Sequence, residues 1–184
     1  MALYGAPVWV DALSSGNDRQ LRSVQALMAR RAIRGYRTIA AEAAILLAGT
    51  LPWDLDAIVL AAVYEWRGDR RSQDLRPAPR EDQAERERLE ELALESWALR
   101  VANGRTGRRT VLAICPVLKE WVRRRHGRLT YRLTQILSGN GCFGDYLHRI
   151  SREQSAACHH CHSDEDTTQH TLETCPAGRG SADS

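Results

Sequence analysis

Cys158, Cys161, His170 and Cys175 form a C-x2-C-x8-H-x4-C array, and that spacing constrains its segment more tightly than any apolar pattern in the chain. Zn2+ takes four soft or borderline ligands in a tetrahedron, and two of them usually come from one tight turn. Cys158 and Cys161 fit such a turn. The stretch Ser163-Asp164-Glu165-Asp166-Thr167-Thr168-Gln169 is polar and has no apolar face of its own, so a bound metal is a physical reason for it to be ordered. His170-Thr171-Leu172-Glu173-Thr174-Cys175 reads as a short helical turn that brings His170 and Cys175 to one side, with Pro176 stopping it. All four positions are filled by protein, which leaves no place for a water, so the metal is expected to be structural rather than catalytic.

A disulfide is the alternative. Five cysteines is an odd count, however, and no apolar signal stretch opens the chain, so an oxidising compartment is unsupported. His159, His160 and His162 are spare imidazoles, any of which is an alternative to His170. Cys115 and Cys142 read as ordinary buried thiols.

At 184 residues and 43% apolar content, the chain is long enough for one medium domain or two small ones with a core. No stretch approaches the roughly 20 apolar residues of a membrane span, so the expectation is a soluble, intracellular protein without a membrane partner. The polar remainder is patterned for helices. Residues 2–13 form an abrupt apolar segment without a capping signal. Leu21, Val24, Leu27, Met28 and Ala32 then follow helical spacing, with arginines mostly off the stripe, and Gly35 is expected to close that helix. Thr38 is placed to cap a second helix through Ala40–Ala48, ended by Gly49. Pro52 opens a third, through Trp53, Leu55, Ile58, Ala62 and Trp66. Residues 67–80 carry prolines, a glycine and charges and read as a linker. Glu81 to Arg100 reads as a long, mostly solvated helix with Leu89, Leu92, Trp97 and Val101 on one stripe, a spacer held by weak i,i+4 pairs. With no alternating strand pattern in view, the expected fold is mainly α with a small metal-centred tail.

The net charge of +3 hides a segregated distribution. Arg100, Arg105, Arg108, Arg109, Lys119, Arg123, Arg124, Arg125, Arg128 and Arg132 face one acid, Glu120, and Trp121, His126 and Tyr131 are interleaved. Such a stretch can neutralise phosphates and stack bases, since arginine offers both charge and a planar face. Charge alone is more often a solvated face, but a zinc knuckle close behind favours nucleic acid. The candidate contacts are Arg108, Arg109, Arg123, Arg124, Arg125 and Arg128 for phosphates, with Trp121 and Tyr131 for stacking; Trp121 reads equally well as core.

Several blocks resemble one family in order. Leu3-Tyr4-Gly5-Ala6-Pro7-Val8-Trp9 resembles the segment that closes the thumb of reverse transcriptases from LINE-type (non-LTR) retrotransposons. Arg34-Gly35-Tyr36-Arg37-Thr38-Ile39, Glu42-Ala43 and Ala48-Gly49 resemble the next block, especially in the arthropod R-one-like clade. Tyr131 to Gly139, Gly141-Cys142-Phe143 and Tyr146-Leu147 resemble the block before a C-terminal Cys-Cys-His-Cys motif, which the array completes. Two positions depart: Asn140 stands where such elements commonly have His, leaving one polar contact open, and Gly178 stands where an aromatic often follows Cys-Pro, which suggests a decayed or truncated end.

The resemblance implies a helical thumb remnant (1–66), a linker (67–80), a basic helical linker domain (81–150), a zinc knuckle (151–178) and a disordered tail (179–184). It implies a parent polyprotein with endonuclease and RNA-directed DNA polymerase, this segment gripping template RNA or target DNA in target-primed reverse transcription, in the nucleus during integration. Polymerase chemistry needs paired aspartates for two Mg2+ ions; the Tyr/Phe-x-Asp-Asp turn is absent here, so Mg2+ belongs to the missing polymerase core and no catalytic residue is assigned. Asp54-Leu55-Asp56 reads as a helix surface or cap and Asp164-Glu165-Asp166 as a solvated loop. Two other readings stand beside this one: a zinc-stabilised protein-interaction scaffold, and an inactive genomic relic of the element.

Overall fold

A computed structural model describes residues 3–127 and 129–179. Arg128 and the end of the expected disordered tail, 180–184, lie outside the described residues. Among the described residues ten α-helices follow one another: α1 (Ala6–Trp9), α2 (Ser15–Ala32), α3 (Ala41–Ala48), α4 (Trp53–Ser72), α5 (Pro79–Ala102), α6 (Arg108–Ile114), α7 (Leu118–Arg123), α8 (Tyr131–Ser138), α9 (Gly144–Arg149) and α10 (Pro176–Arg179). Among the described residues there is no strand, and no single helix is long and apolar enough to cross a membrane. The chain is mainly α, as its periodicity indicates.

Local chemistry explains most ends. Ser14 caps α2 by accepting the Asn17 N–H at 3.4 Å. Gly49 ends α3 in the left-handed conformation, with φ 66°. Pro52 precedes α4, whose first amide, Trp53 N–H, is accepted by the buried Gln25 Oε1 at 2.9 Å. Two expected ends are corrected. The left-handed residue closing α2 is Arg34, at φ 53°; Gly35 is needed instead for space, because a Cβ there would sit 2.6 Å from Ile39 Cδ1. Thr38 does not cap α3, whose N-cap is Ala40 without a side-chain bond; its hydroxyl turns to Tyr146 Oη at 2.6 Å.

The core joins Ala26 and Ala29 of α2 and Ile33 just past its end, Ala43 to Leu47 of α3, Leu94, Trp97 and Val101 of α5, Val111 and Ile114 of α6, and Leu118 of α7. The expected α2 stripe is on the wrong side: Val24, Leu27 and Met28 remain 46–55% exposed. Ala26 and Ala29 are small enough to let α3 lie against the backbone of α2, and this close approach wins over the larger side chains on the other face. On α4 the buried positions are Asp54, Ala57, Val59, Ala61 and Val63, while Ile58 stays exposed.

Helix α4 runs six residues beyond Trp66, so only 73–78 connects it to α5. Glu81 Oε2 accepts the Ala78 N–H at the start of α5. The first half of α5 is solvated and laced by Arg86–Glu90 and Arg88–Glu85 pairs. Its second half is no spacer: Trp97 is 0% exposed, and Arg100 pairs with Asp54 at 2.5 Å. Asp54 also lies 3.8 Å from Arg22, which pairs with Asp18 and Glu42. The carboxylate read from sequence as a surface or cap is a buried tie between α2, α4 and α5.

Candidate metal centre and the basic clefts around it

Past α8 the chain loses apolar support and turns to polar and donor chemistry. Helix α9 begins at Gly144 without a local cap, since Phe143 has none to offer. The cap comes from 22 residues away: Asp166 Oδ2 accepts the Gly144 N–H at 2.9 Å, and the Asp166 carbonyl accepts the Asp145 N–H at 3.1 Å. Asp166 Oδ1 accepts the Thr171 hydroxyl at 2.9 Å, and its own N–H reaches the Ala156 carbonyl. Asp166 is buried, which corrects the solvated reading. Gly144 is required there, because a Cβ would meet the Ala156 carbonyl oxygen at 2.7 Å.

From this anchor the backbone folds a tight turn. Cys158 N–H donates to the Ser163 carbonyl and His162 N–H to the Cys158 carbonyl, each at 2.9 Å, with His162 left-handed at φ 59°. The second pair of donors comes from a wide, π-type turn at His170–Thr174, closed by Cys175 N–H to the His170 carbonyl at 2.8 Å. Pro176 ends that turn but also opens α10. One donor atom from each of Cys158, Cys161, His170 and Cys175 lies within 4.8 Å of the others. Cys158 Sγ is 3.8 Å from Cys175 Sγ, and Cys161 Sγ is 3.2 Å from His170 Nε2. A tetrahedral site with metal–sulfur bonds of about 2.3 Å has S···S edges of about 3.8 Å, so the donor set fits a four-coordinate metal. His159, His160 and His162 are exposed and outside the cluster.

The cluster is prepared for charge. The backbone N–H of Cys161, with those of His160 and the His170 side chain, pulls the Cys158 thiol down to about 6 against the opposing effect of burial. Ser163 N–H acts in the same sense on Cys161, but burial and the neighbouring Cys158 push that thiol up overall. Of the other cysteines, Cys142 is exposed and Cys115 half-buried, not buried as expected; both stand apart from the cluster.

The candidate nucleic-acid residues separate into distinct settings. Trp121 donates Nε1–H to the Leu46 carbonyl at 2.8 Å. Arg124 covers its ring, 3.8 Å from the centroid, and donates to the Trp121 carbonyl; burial lowers the Arg124 pKa. Arg124, Arg125 and Tyr131 line one open cleft of about 660 Å3, together with Arg34 and His126. Tyr131 is 44% exposed, and its hydroxyl meets that of Tyr36 at 2.5 Å. Arg123 pairs with Glu91 at 3.4 Å, beside Lys119 on the same carboxylate. Arg108 and Arg109 stand in a second cleft next to the cluster. Arg109 donates Nε–H to the Ile136 carbonyl at 2.6 Å and Nη1 to Gln169 Oε1 at 3.5 Å, linking α8 to the segment just before His170.

The chain is similar to proteins of R1-type retrotransposable elements. The chain is 30% identical over 169 residues, 87% of its length, to the Retrovirus-related Pol polyprotein from type-1 retrotransposable element R1 4 of Nasonia vitripennis. It is 28% identical over 95% of its length to the putative 115 kDa protein in type-1 retrotransposable element R1DM of Drosophila melanogaster, and 28% over 94% to an R1 Pol polyprotein of Bradysia coprophila. The chain belongs with the Pol polyproteins of R1-type retrotransposable elements. It spans 42% of the first relative and 18% of the other two. No family model and no solved structure matches it.

In this R1-type chain, distant blocks of the sequence meet at one point. Asn140 is buried and donates Nδ2–H to Thr38 Oγ1 at 3.0 Å. Through Thr38 it reaches Tyr146. Asp166, Thr38 and Tyr146 were missed from sequence as positioning residues. The available signal was indirect: a helix start at Gly144 with no Ser, Thr, Asp or Asn before it needs a cap from elsewhere.

Proposed function

We propose that this chain is the nucleic-acid-gripping, C-terminal part of an R1-type Pol polyprotein, acting in target-primed reverse transcription in the nucleus. The endonuclease and the RNA-directed DNA polymerase, with its Mg2+ ions, lie in the rest of that polyprotein, which works with this segment in cis. Residues 1–66 end the polymerase thumb, residues 81–150 are the basic linker, and 151–178 form a zinc knuckle. The observation that carries this reading is the juxtaposition of arginine-lined clefts with a closed Cys3His donor set in a chain related to Pol polyproteins over nearly its whole length.

Cys158, Cys161, His170 and Cys175 hold Zn2+, which supplies a cross-link between two turns and no catalysis. Arg108, Arg123, Arg125 and Arg128 contact phosphates of template RNA and target DNA. Arg109 and Arg124 do so while bracing α8 and Trp121, and Tyr131 offers a stacking face. Fluorescence anisotropy with labelled RNA and DNA oligonucleotides across a salt series tests this. Affinity should fall steeply, by about 0.7 in log K per tenfold salt for each single-strand phosphate contacted. R108E/R125E should weaken binding, and elemental analysis should find one zinc per chain that Cys161→Ser loses. A salt-independent affinity, or no affinity, overturns the reading.

A further inference from the structure

The cleft holding Arg108 and Arg109 has a volume of about 530 Å3 and is built from five parts of the chain. The loop before α6 brings Arg105, the first turn of α6 brings Arg108 and Arg109, α9 brings Tyr146 and Arg149, and the segment before His170 closes the space with Thr167 and Thr168, while 38–43 and 138–140 complete the border. Four arginines therefore border one space, and the one carboxylate lining it, Asp145, is already 4.0 Å from Arg149. Arg105 has no hydrogen bond or ion pair among the described residues. Thr168 is only 4% exposed, yet its hydroxyl has no partner among the described residues, although it borders the cleft. Gly139 and Gly107, both left-handed, keep the floor and rim free of side chains; a Cβ on Gly139 would lie 3.2 Å from Arg109 Cδ.

Like charges gathered around an open space repel one another unless an anion lies between them, and a guanidinium fork matches phosphate oxygens. A cleft of this size is that of a small-ligand pocket and does not admit a double helix. We propose that it holds the phosphodiester backbone of an unpaired nucleic-acid strand, passing between the helical body and the Cys3His module. Arg105 and Arg149 grip successive phosphates and the Thr168 hydroxyl donates to one of their oxygens. The inference rests on the nucleic-acid reading above and deepens it. It also couples binding to the metal site, since one wall belongs to the segment that the donor cluster holds in place.

The test uses the full chain and a fluorescein-labelled ten-nucleotide oligo-uridine, with an RNA duplex as competitor. R105E/R149E should weaken binding at least tenfold and make the salt slope shallower by about 1.4, the share of two phosphates, while helical content and melting stay those of the parent chain. Thr168→Val, which keeps the shape and removes the hydroxyl, should weaken binding several-fold. Photo-crosslinking with 4-thiouridine should map to residues 138–150 and 167–168. If R105E/R149E lost helicity, Arg149→Gln and Thr168→Val would carry the same comparison. Unchanged affinity in these variants while the parent chain binds overturns the cleft and leaves the broader reading standing. No binding by the parent chain overturns both, and a duplex that competes as well as the single strand overturns the single-strand assignment.

Discussion

Asp166 spends both carboxylate oxygens inside the protein, one on the first amide of α9 and one on Thr171 beside the metal donors. Asp166→Ala should therefore cost about 1.5–3 kcal/mol, the range for hydrogen bonds to a charged group, read as a lower melting temperature and faster proteolysis of 151–178. Asp166→Asn keeps one acceptor oxygen and should lose less. The Cys158 thiol adds a pH dependence. Its pKa in the folded state is about 6, well below the 9.0 of an unperturbed thiol, so the stability it contributes to the metal-free turn is present above the unfolded value and is lost as pH falls through about 6. Metal retention should fall in the same direction, because the ligand is the thiolate; a zinc-release titration from pH 7.5 to 5 checks this, with loss expected on the acid side. The four donors were legible in the sequence because their spacing alone encodes a tetrahedron. Asp166 was not, because its partner is 22 residues distant and no local pattern marks the pair.

At the scale of elements, the helices were readable and their orientation was not. Ser14, Gly49 and Pro52 are punctuation that acts on neighbouring backbone, so it operates in any tertiary setting. Which side of a helix is buried depends instead on what lies opposite. Helix α2 carries apolar residues on two sides, and the side with Ala26 and Ala29 packs against α3 while Val24, Leu27 and Met28 stay exposed. Helix α5 shows the reverse: a charge-rich sequence whose second half sends Leu94, Trp97 and Val101 into the core. Asp54 ties α5 to α4 and α2 through Arg100 and Arg22. Removing it leaves Arg100, whose Nε and Nη2 already lack partners, without its one anion among the described residues. Asp54→Ala should destabilise the helical body by about 1.5–3 kcal/mol, measured by urea unfolding, with Asp54→Asn milder.

Over the whole molecule, the main apolar cluster among the described residues draws most of its buried side chains from α2, α3, α5, α6 and α7, a smaller one joins α4 to α5, and neither includes a residue of the Cys3His module. The helical body and that module depend on different forces, burial of apolar surface for the first and donor convergence for the second. Chelation should therefore make residues 151–178 protease-sensitive while the circular dichroism of the helical body is largely retained. Tail resistance unchanged by a strong chelator would argue against a metal there.

The sequence by itself determined that the chain is helical, where most helices begin and end, which four side chains can share a metal, and which family the blocks resemble. These follow from short-range backbone chemistry and from motif spacing, both of which are local. Tertiary structure decided which face of α2 is buried, that Asp54 and Asp166 are internal ties rather than solvated carboxylates, and that Arg105, Arg108, Arg109 and Arg149 border one cleft with Thr168. Those outcomes depend on the close approach of segments tens of residues apart, where packing volume and the pairing of buried charge select one arrangement from several that the local sequence allows.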